Sequence, residues 1–215
     1  MKTVKSILKG LFWIALVLAI VLVIGRFTFW VPGEAPDNAM APTIWKGDKF
    51  VVLTRGQIDL GSIVYCDHPV YAGQVVLGRV VGLPGDTVEM LGDTLRINDE
   101  PVLQDWNERF TFIDKMSAAN LMNQTFIKAE QFVGGHRADL MYPDGSHKTG
   151  VRLTKVKAGY FLLGDNRTLA LGASDSRNYG EVHETLCKGR VLFLWKAVKG
   201  LGDPDLSIRT FKLVF

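Results

Sequence analysis

Val75-Val76-Leu77-Gly78-Arg79-Val80-Val81-Gly82-Leu83-Pro84-Gly85-Asp86-Thr87-Val88-Glu89-Met90 is a β-branched apolar run, a Pro-Gly turn and a second β-branched run. β-Branched side chains are stiff at χ1 and suit a pleated surface, and proline followed by glycine is turn chemistry. The stretch predicts strand, turn, strand. Outward from it the same grammar recurs in Lys49 to Thr54, Ser62 to Cys66, Thr94 to Ile97, Tyr160 to Leu163 and Gly189 to Trp195, with a further turn-rich stretch at Gly164-Asp165-Asn166-Arg167. Many short strands separated by turn signals predict a mostly β body. Helical periodicity is weak, with one candidate from about Ser117 to Gln131. Residues 98–157, poorer in strand signals than the segments on either side, read as an inserted lobe with Trp106, Phe110, Phe112 and Phe126 as its own small core.

The N-terminus has a different pattern. Lys2, Lys5 and Lys9 precede sixteen uncharged residues from Gly10 to Gly25, which Arg26 closes. A bilayer core needs about 20 helical residues, and Ile7 and Leu8 on one side, or Phe27, Phe29, Trp30 and Val31 on the other, supply the rest. A cleaved signal peptide would leave through small residues, whereas Arg26-Phe27-Thr28-Phe29-Trp30-Val31-Pro32 is bulky. Residues 1–31 are therefore expected to hold a cytoplasmic N-terminus and a single uncleaved transmembrane anchor. The lysine excess before it puts the N-terminus in the cytoplasm and the body on the outer side.

The chain has 215 residues, 47% hydrophobic and 22% charged, enough for one good core. Its 25 Lys+Arg against 22 Asp+Glu leave +3 with no basic run, which disfavours nucleic acid as a partner. Cys66 and Cys187 lack a CxxC, so a zinc ribbon and a disulfide-dense scaffold are excluded; the two either form one bridge or are two small buried hydrophobes. His136, His147 and His183 are scattered without metal-ligand spacing, and no cofactor motif is present. His68, ahead of a proline, reads as an exposed turn residue.

Four separated segments carry a resemblance. Asn38-Ala39-Met40-Ala41-Pro42-Thr43-Ile44-Trp45-Lys46-Gly47-Asp48 resembles the Ser-Met-x-Pro-Thr-Leu-x-x-Gly-Asp segment of the bacterial type I signal peptidases, membrane-anchored serine proteases with a Ser/Lys dyad. Gly61-Ser62-Ile63-Val64-Tyr65 resembles that family's Arg-Gly-Asp-Ile-Val strand, and Arg79 to Asp86 its Lys-Arg-x-x-Gly-Leu-Pro-Gly-Asp segment. Gly164-Asp165-Asn166-Arg167 with Ser174-Asp175-Ser176-Arg177 is similar to Gly-Asp-Asn-Arg followed by Ser-x-Asp-Ser-Arg. The resemblance implies a signal-peptidase-like β core over 32–97 and 158–215, with 98–157 as the unmatched insertion. Asn38, Met40 and Pro42 would belong to its peptide groove, and Arg79, Asp165, Asn166, Arg167, Asp175 and Arg177 to its structural motifs. Asp165, Arg167, Asp175 and Arg177 are expected to form ion pairs holding two loops together.

The chemistry implied by that family is missing. Its nucleophilic serine falls on Ala39 and its lysine on Gly78. A serine hydroxyl needs a base to take its proton, and a buried lysine serves when its pKa falls far enough to leave it neutral; a methyl group and a hydrogen do neither. The position of the serine that assists the oxyanion hole is Asp37, and that of the serine orienting the lysine is Ala173. A relocated dyad would draw on Thr43, Ser62, Ser174 or Ser176 with Lys46 or Lys49; the other reading makes these hydroxyls turn, strand-edge and loop hydrogen-bonders.

The family's groove takes an extended peptide by strand addition, a mode that needs backbone edges and no dyad. The expectation is a catalytically inactive signal-peptidase-like protein in the bacterial inner membrane, its body periplasmic or extracytoplasmic. Its partners would be membrane lipid, exported polypeptides or signal peptides, and secretion or conjugative pilus machinery. Ile44 and Trp45, with Phe27 to Trp30, are expected to seat it on lipid. The alternative is an active divergent signal peptidase with a relocated nucleophile.

Overall fold

The computed structural model describes residues 2–113, 123–144, 150–167, 175–198 and 210–214. Strand β4 (Val75–Gly82) lies inside a sheet, and all of its residues after Val75 are buried, as a near-continuous apolar run requires. At Leu83 the chain turns: Asp86 N–H donates to the Leu83 carbonyl, and Leu83 N–H donates to Asp86 Oδ2 at 2.9 Å. Gly85 sits at φ +98°, a region closed to most L residues, so the glycine is what permits the turn.

That strand belongs to an eight-stranded antiparallel sheet. In chain order its members are β1 (Trp30–Glu34), β2 (Lys49–Leu53), β3 (Ile63–Asp67), β4, β12 (Gly159–Leu163), β13 (Val182–His183), β14 (Cys187–Lys196) and β15 (Lys212–Leu213). The spatial order is β1-β2-β14-β3-β4-β12-β13, with β15 on β14. Cys66 and Cys187 face each other across β3 and β14 and are joined as a disulfide, the bridge rather than two free thiols.

A second sheet has the order β11 (Val151–Lys155), β5 (Thr87–Leu91), β6 (Thr94–Ile97), β7 (Glu100–Pro101), and a third the order β10 (His136–Pro143), β9 (Asn123–Val133), β8 (Gln104–Ile113). One buried cluster joins all three sheets, with Val81 and Leu163 from the first, Val88, Met90 and Leu95 from the second, and Ala129, Leu140 and Tyr142 from the third.

The helix expected from Ser117 to Gln131 is not formed where the chain is described: residues 123–131 lie in β9, paired on both sides, and 117–122 lie outside the described residues. The period there is two. Ala129, Gln131 and Val133 are buried while their neighbours are half-buried or exposed, and the polar Gln131 at an inward position hides the alternation from the sequence. Phe126 does not join a core private to the 98–157 segment; it packs with Met141 and with Ala41 and Trp45 of the Asn38–Asp48 segment. Trp106 is 49% exposed and lies against the Tyr142 ring, and the side chains of Phe110 and Phe112 lie outside the described residues.

Helix α1 (Lys2–Phe29) covers the expected anchor and ends one residue before β1. Among the described residues no helix is long and apolar enough to cross a membrane. The described side chains from Leu11 to Val23 are exposed or half-buried, so the body does not cover this helix. Ile44 and Trp45 are not surface residues that could seat the protein on lipid. Ile44 is wholly buried with Phe50, Val52 and Ile63, and Trp45 is 6% exposed.

Candidate functional site

The loop between β1 and β2, residues 35–48, is drawn closed around Asp48. Ala35 N–H donates to the Asp48 carbonyl at 2.9 Å. Asp48 Oδ2 accepts from Trp45 N–H and Oδ1 from Val198 N–H, both at 2.8 Å. These bonds satisfy a carboxylate that is fully buried. Met40 is also fully buried, packed in the cluster of Ile44, Phe50 and Leu77, whereas Asn38 and Pro42 are half-buried. The peptide bond between Ala41 and Pro42 is cis. Asn38 Oδ1 accepts from Lys46 N–H at 2.9 Å, closing the loop across its mouth.

Residue 39 is held on both sides. Its N–H donates to Asp37 Oδ1 at 2.9 Å, and its carbonyl accepts from Asn166 N–H at 2.8 Å. Gly164 makes that approach possible, because a Cβ there would stand 2.5 Å from the Ala39 oxygen. Asn166 Nδ2 adds a bond to the Asn38 carbonyl at 3.3 Å. On its far side the 164–167 segment is stitched to β10, with Met141 N–H donating to the Asp165 carbonyl and Arg167 N–H to the Met141 carbonyl. The first motif, the third sheet and the Gly-Asp-Asn-Arg segment thus meet at Ala39.

Beneath this contact lies a buried charge cluster. Arg79, 1% exposed, donates from Nε to Asp165 Oδ1 at 2.8 Å, from Nη2 to Asp165 Oδ2 at 2.7 Å and from Nη1 to the Gly61 carbonyl at 2.7 Å. The Thr43 hydroxyl donates to Asp165 Oδ2 at 2.5 Å. A two-pronged guanidinium–carboxylate pair, with a further acceptor on the guanidinium and a further donor on the carboxylate, is the form in which buried ions are tolerated.

The ion pairs differ from those expected. Asp165 is bound to Arg79 on β4, and Asp175 to Arg177 two residues on, at 2.6 Å with both side chains under 5% exposed. Arg167, fully buried, is met instead by Gln131 Oε1 at 2.9 Å, by Met90 Sδ at 3.9 Å and by the face of Tyr142. The two loops are joined by single bonds to backbone groups, from Gly164 N–H to Asp175 Oδ2 and from Arg177 Nη1 to the Arg167 carbonyl. Burial raises the Tyr142 phenol above its ordinary value of 10.0, and the Arg167 charge opposes the rise. Tyr179, which closes the short helix α2 (Ser176–Tyr179), is raised further by burial, with the charges of Asp175 and Asp37 adding to it.

Gly78 is buried on β4, across the register from Val64. With Ala39, it leaves a methyl group and a hydrogen at the two positions the resemblance assigns to nucleophile and base. Each described one of the other candidate hydroxyls has a hydrogen-bond partner. Thr43 donates to Asp165, Ser62 Oγ accepts from Asp59 N–H at 3.1 Å, and Ser176 Oγ accepts from Leu162 N–H at 2.9 Å. Lys46 is exposed, and Lys49 makes an exposed pair with Glu34. Ala173 and Ser174 lie outside the described residues.

His68 is in a turn, as expected, but it is buried rather than exposed. Its Nδ1 accepts from Val70 and Tyr71 N–H at 3.0 and 3.1 Å while the ring packs on Tyr71 and Tyr179. Among the described residues no three His, Cys, Asp or Glu side chains converge as a metal site. The sequence carried no signal for Gln131 or Gln104, whose side chains link Arg167 to Tyr142.

Beside the site is a groove. β3 pairs with β4 from Val75 onward, but β12 pairs with β4 only from Arg79. Among the described residues, then, one edge of Val75–Gly78 carries no strand. A cavity of about 430 Å³ lies at the Val75 end of this strand, lined by Glu34, Ala35, Pro36, Lys46, Gly47 and Val75.

Comparison with known proteins agrees with this arrangement. The family model for signal peptidase, peptidase S26, matches residues 7–196. The chain is 32% identical over 209 residues to signal peptidase I of Streptococcus pneumoniae serotype 4 (strain ATCC BAA-334 / TIGR4), covering 91% of this chain and 96% of that one. It is 30% identical over 215 residues to signal peptidase I of S. pneumoniae strain ATCC BAA-255 / R6, covering 94% and 99%. With signal peptidase IB of Staphylococcus aureus strain COL the identity is 28% over 197 residues, covering 88% and 89%.

Proposed function

Because this chain belongs to the signal peptidase family, peptidase S26, we propose that it is a member that binds extended polypeptide without cleaving it. One observation carries the reading: the buried Arg79–Asp165–Thr43 cluster and the Ala39–Asn166 contact are fully built, while the positions for nucleophile and base hold Ala39 and Gly78. The groups that shape the loop are in place, and the two positions that would attack and take the proton carry neither a hydroxyl nor an amine. Peptide binding by strand addition uses main-chain donors and acceptors and needs no dyad, and the 430 Å³ groove at the Val75 end of β4 supports this reading with room for an extended segment. The candidate hydroxyls for a relocated dyad support the same reading, since each described one is already engaged in holding a turn, a strand edge or Asp165.

Helix α1 is the proposed anchor, with the uncharged run from Gly10 to Gly25 in the bilayer, the N-terminus in the cytoplasm and the body on the outer face of a bacterial membrane. A second apolar hollow, of about 300 Å³, supports this placement. It is lined by Trp30, Val51, Phe193, Trp195 and Phe211, directly where α1 leaves off. Aromatic side chains of this kind suit the headgroup level. The ligands in this reading are exported chains or their signal peptides, presented to a secretion or pilus-assembly apparatus.

The test uses the full chain in detergent with a labelled pre-protein carrying an Ala-x-Ala site. Saturable binding without turnover is expected. Cleavage that persists after removal of contaminating host peptidase would overturn the proposal, and so would the absence of binding to either the pre-protein or its signal peptide.

A further inference from the structure

The backbone N–H of a nucleophilic residue commonly donates to the oxyanion that forms in acyl transfer. At residue 39 that donor is already used, by Asp37 Oδ1 at 2.9 Å. We infer that Asp37 is a built-in occupant of the oxyanion position: a carboxylate oxygen of the chain itself sits where peptide cleavage would require an empty, donor-lined space.

A carboxylate accepting the amide two residues on is an ordinary Asx turn, and by itself it only shapes a loop. It becomes a block here because of which amide it takes and how that amide is held. The 38–39 peptide group that carries this N–H is held at its carbonyl end by Asn166 Nδ2 on the Asn38 oxygen at 3.3 Å, and the next peptide group by Asn166 N–H on the Ala39 oxygen, against which Gly164 packs too closely to admit a Cβ. Residue 39 therefore cannot turn to offer its N–H elsewhere without breaking the contact between the two motifs. An oxyanion approaching the same N–H would meet both a competitor for the hydrogen and a second negative charge, and like charges at hydrogen-bond distance are unfavourable in a partly buried site. The loss of chemistry is thus threefold, and the third loss is active rather than passive. Restoring the nucleophile and base alone does not restore cleavage.

The inference rests on residues 39 and 78 being the nucleophile and base positions, and two measurements test it. In the first, Ala39→Ser/Gly78→Lys is compared with Asp37→Ser/Ala39→Ser/Gly78→Lys for cleavage of an Ala-x-Ala pre-protein. The triple variant is expected to turn over at least ~100-fold faster, the usual effect of one oxyanion donor. Equal turnover by the double variant would overturn the inference. The second needs no turnover and no peptide: amide hydrogen exchange at Ala39 in the otherwise unaltered full chain. Asp37→Ala is expected to speed that exchange by about tenfold or more, the loss of one charge-assisted hydrogen bond. Asp37→Asn, which keeps an acceptor oxygen, is expected to leave it slow. Unchanged exchange in Asp37→Ala overturns the inference even if neither engineered enzyme cleaves. If exchange behaves as expected but the parent binds no peptide, the proposed function fails and the assignment of Asp37 stands.

Discussion

Removing one half of the Arg79–Asp165 pair should unfold this protein more readily than any other single polar substitution in it. In Asp165→Ala the Arg79 guanidinium, 1% exposed, loses both of its carboxylate bonds and keeps only the Gly61 carbonyl. Breaking a buried pair from one side costs about 3–5 kcal/mol, because the stranded charge cannot reach water. The Thr43 hydroxyl loses its 2.5 Å acceptor in the same substitution, adding about 1 kcal/mol. A loss of about 4–6 kcal/mol in a chain of this size lowers Tm by about 8–24 °C. Arg79→Met should lose about 3–5 kcal/mol by the mirror argument, leaving Asp165 as the stranded charge. The double variant Arg79→Met/Asp165→Ala strands no charge and should fall well short of the sum, with a coupling energy of at least about 2 kcal/mol. Urea unfolding of the four proteins in detergent, followed by circular dichroism, closes the cycle. Additive losses would mean that the two side chains do not sense one another, and would refute the picture of a single desolvated cluster beneath the Ala39 loop.

Four further outcomes are expected. Cys66→Ser/Cys187→Ser, or reduction of the parent, should destabilise by up to about 5 kcal/mol, since the bridge closes a loop of 121 residues in the unfolded chain; an unchanged urea midpoint in reductant would argue that no bridge forms. Tyr179→Phe should be neutral or stabilising by up to ~1 kcal/mol, because the hydroxyl it removes is buried with no hydrogen-bond partner among the described residues. Tyr142 and Tyr179 have raised pKa values in the fold, so the folded state holds their protons more tightly. Stability is therefore unaffected below the ordinary tyrosine value of about 10 and falls as pH rises above it, which absorbance at 295 nm reports as late titration accompanying unfolding. His68→Ala should cost about 1–2 kcal/mol and speed exchange of the Val70 and Tyr71 amides, whose acceptor is His68 Nδ1; unaltered exchange would remove His68 from that role.

The β4–turn–β5 unit could be read from the chain because propensity, pattern and turn chemistry coincide there, and every strand expected from those signals is present within a residue or two. β9 could not, because its inward positions include Gln131, whose burial is justified by Arg167 and Gln104, both distant in sequence. Ile44 and Trp45 look like lipid-facing residues beside an aromatic anchor exit. Only the closure of their loop around Asp48 turns them inward. The same limit applies to charge: Asp165 was legible as a member of an ion pair, but its partner is 86 residues away on β4 and local spacing cannot choose it. Ala39 and Gly78 were found because they interrupt recognisable motifs. The bond from Ala39 to Asp37 lies within three residues, and what hid it was its consequence, not its distance.

The groove at the Val75 end of β4 also bears on selectivity. Its walls, Glu34, Ala35, Pro36, Lys46, Gly47 and Val75, come from two strand ends and the loop between β1 and β2, and Glu34 and Lys46 are exposed charges on it. A hollow of about 430 Å³ accommodates a few side chains of an open segment and excludes the face of a folded domain. Whatever enters it must enter as unfolded chain.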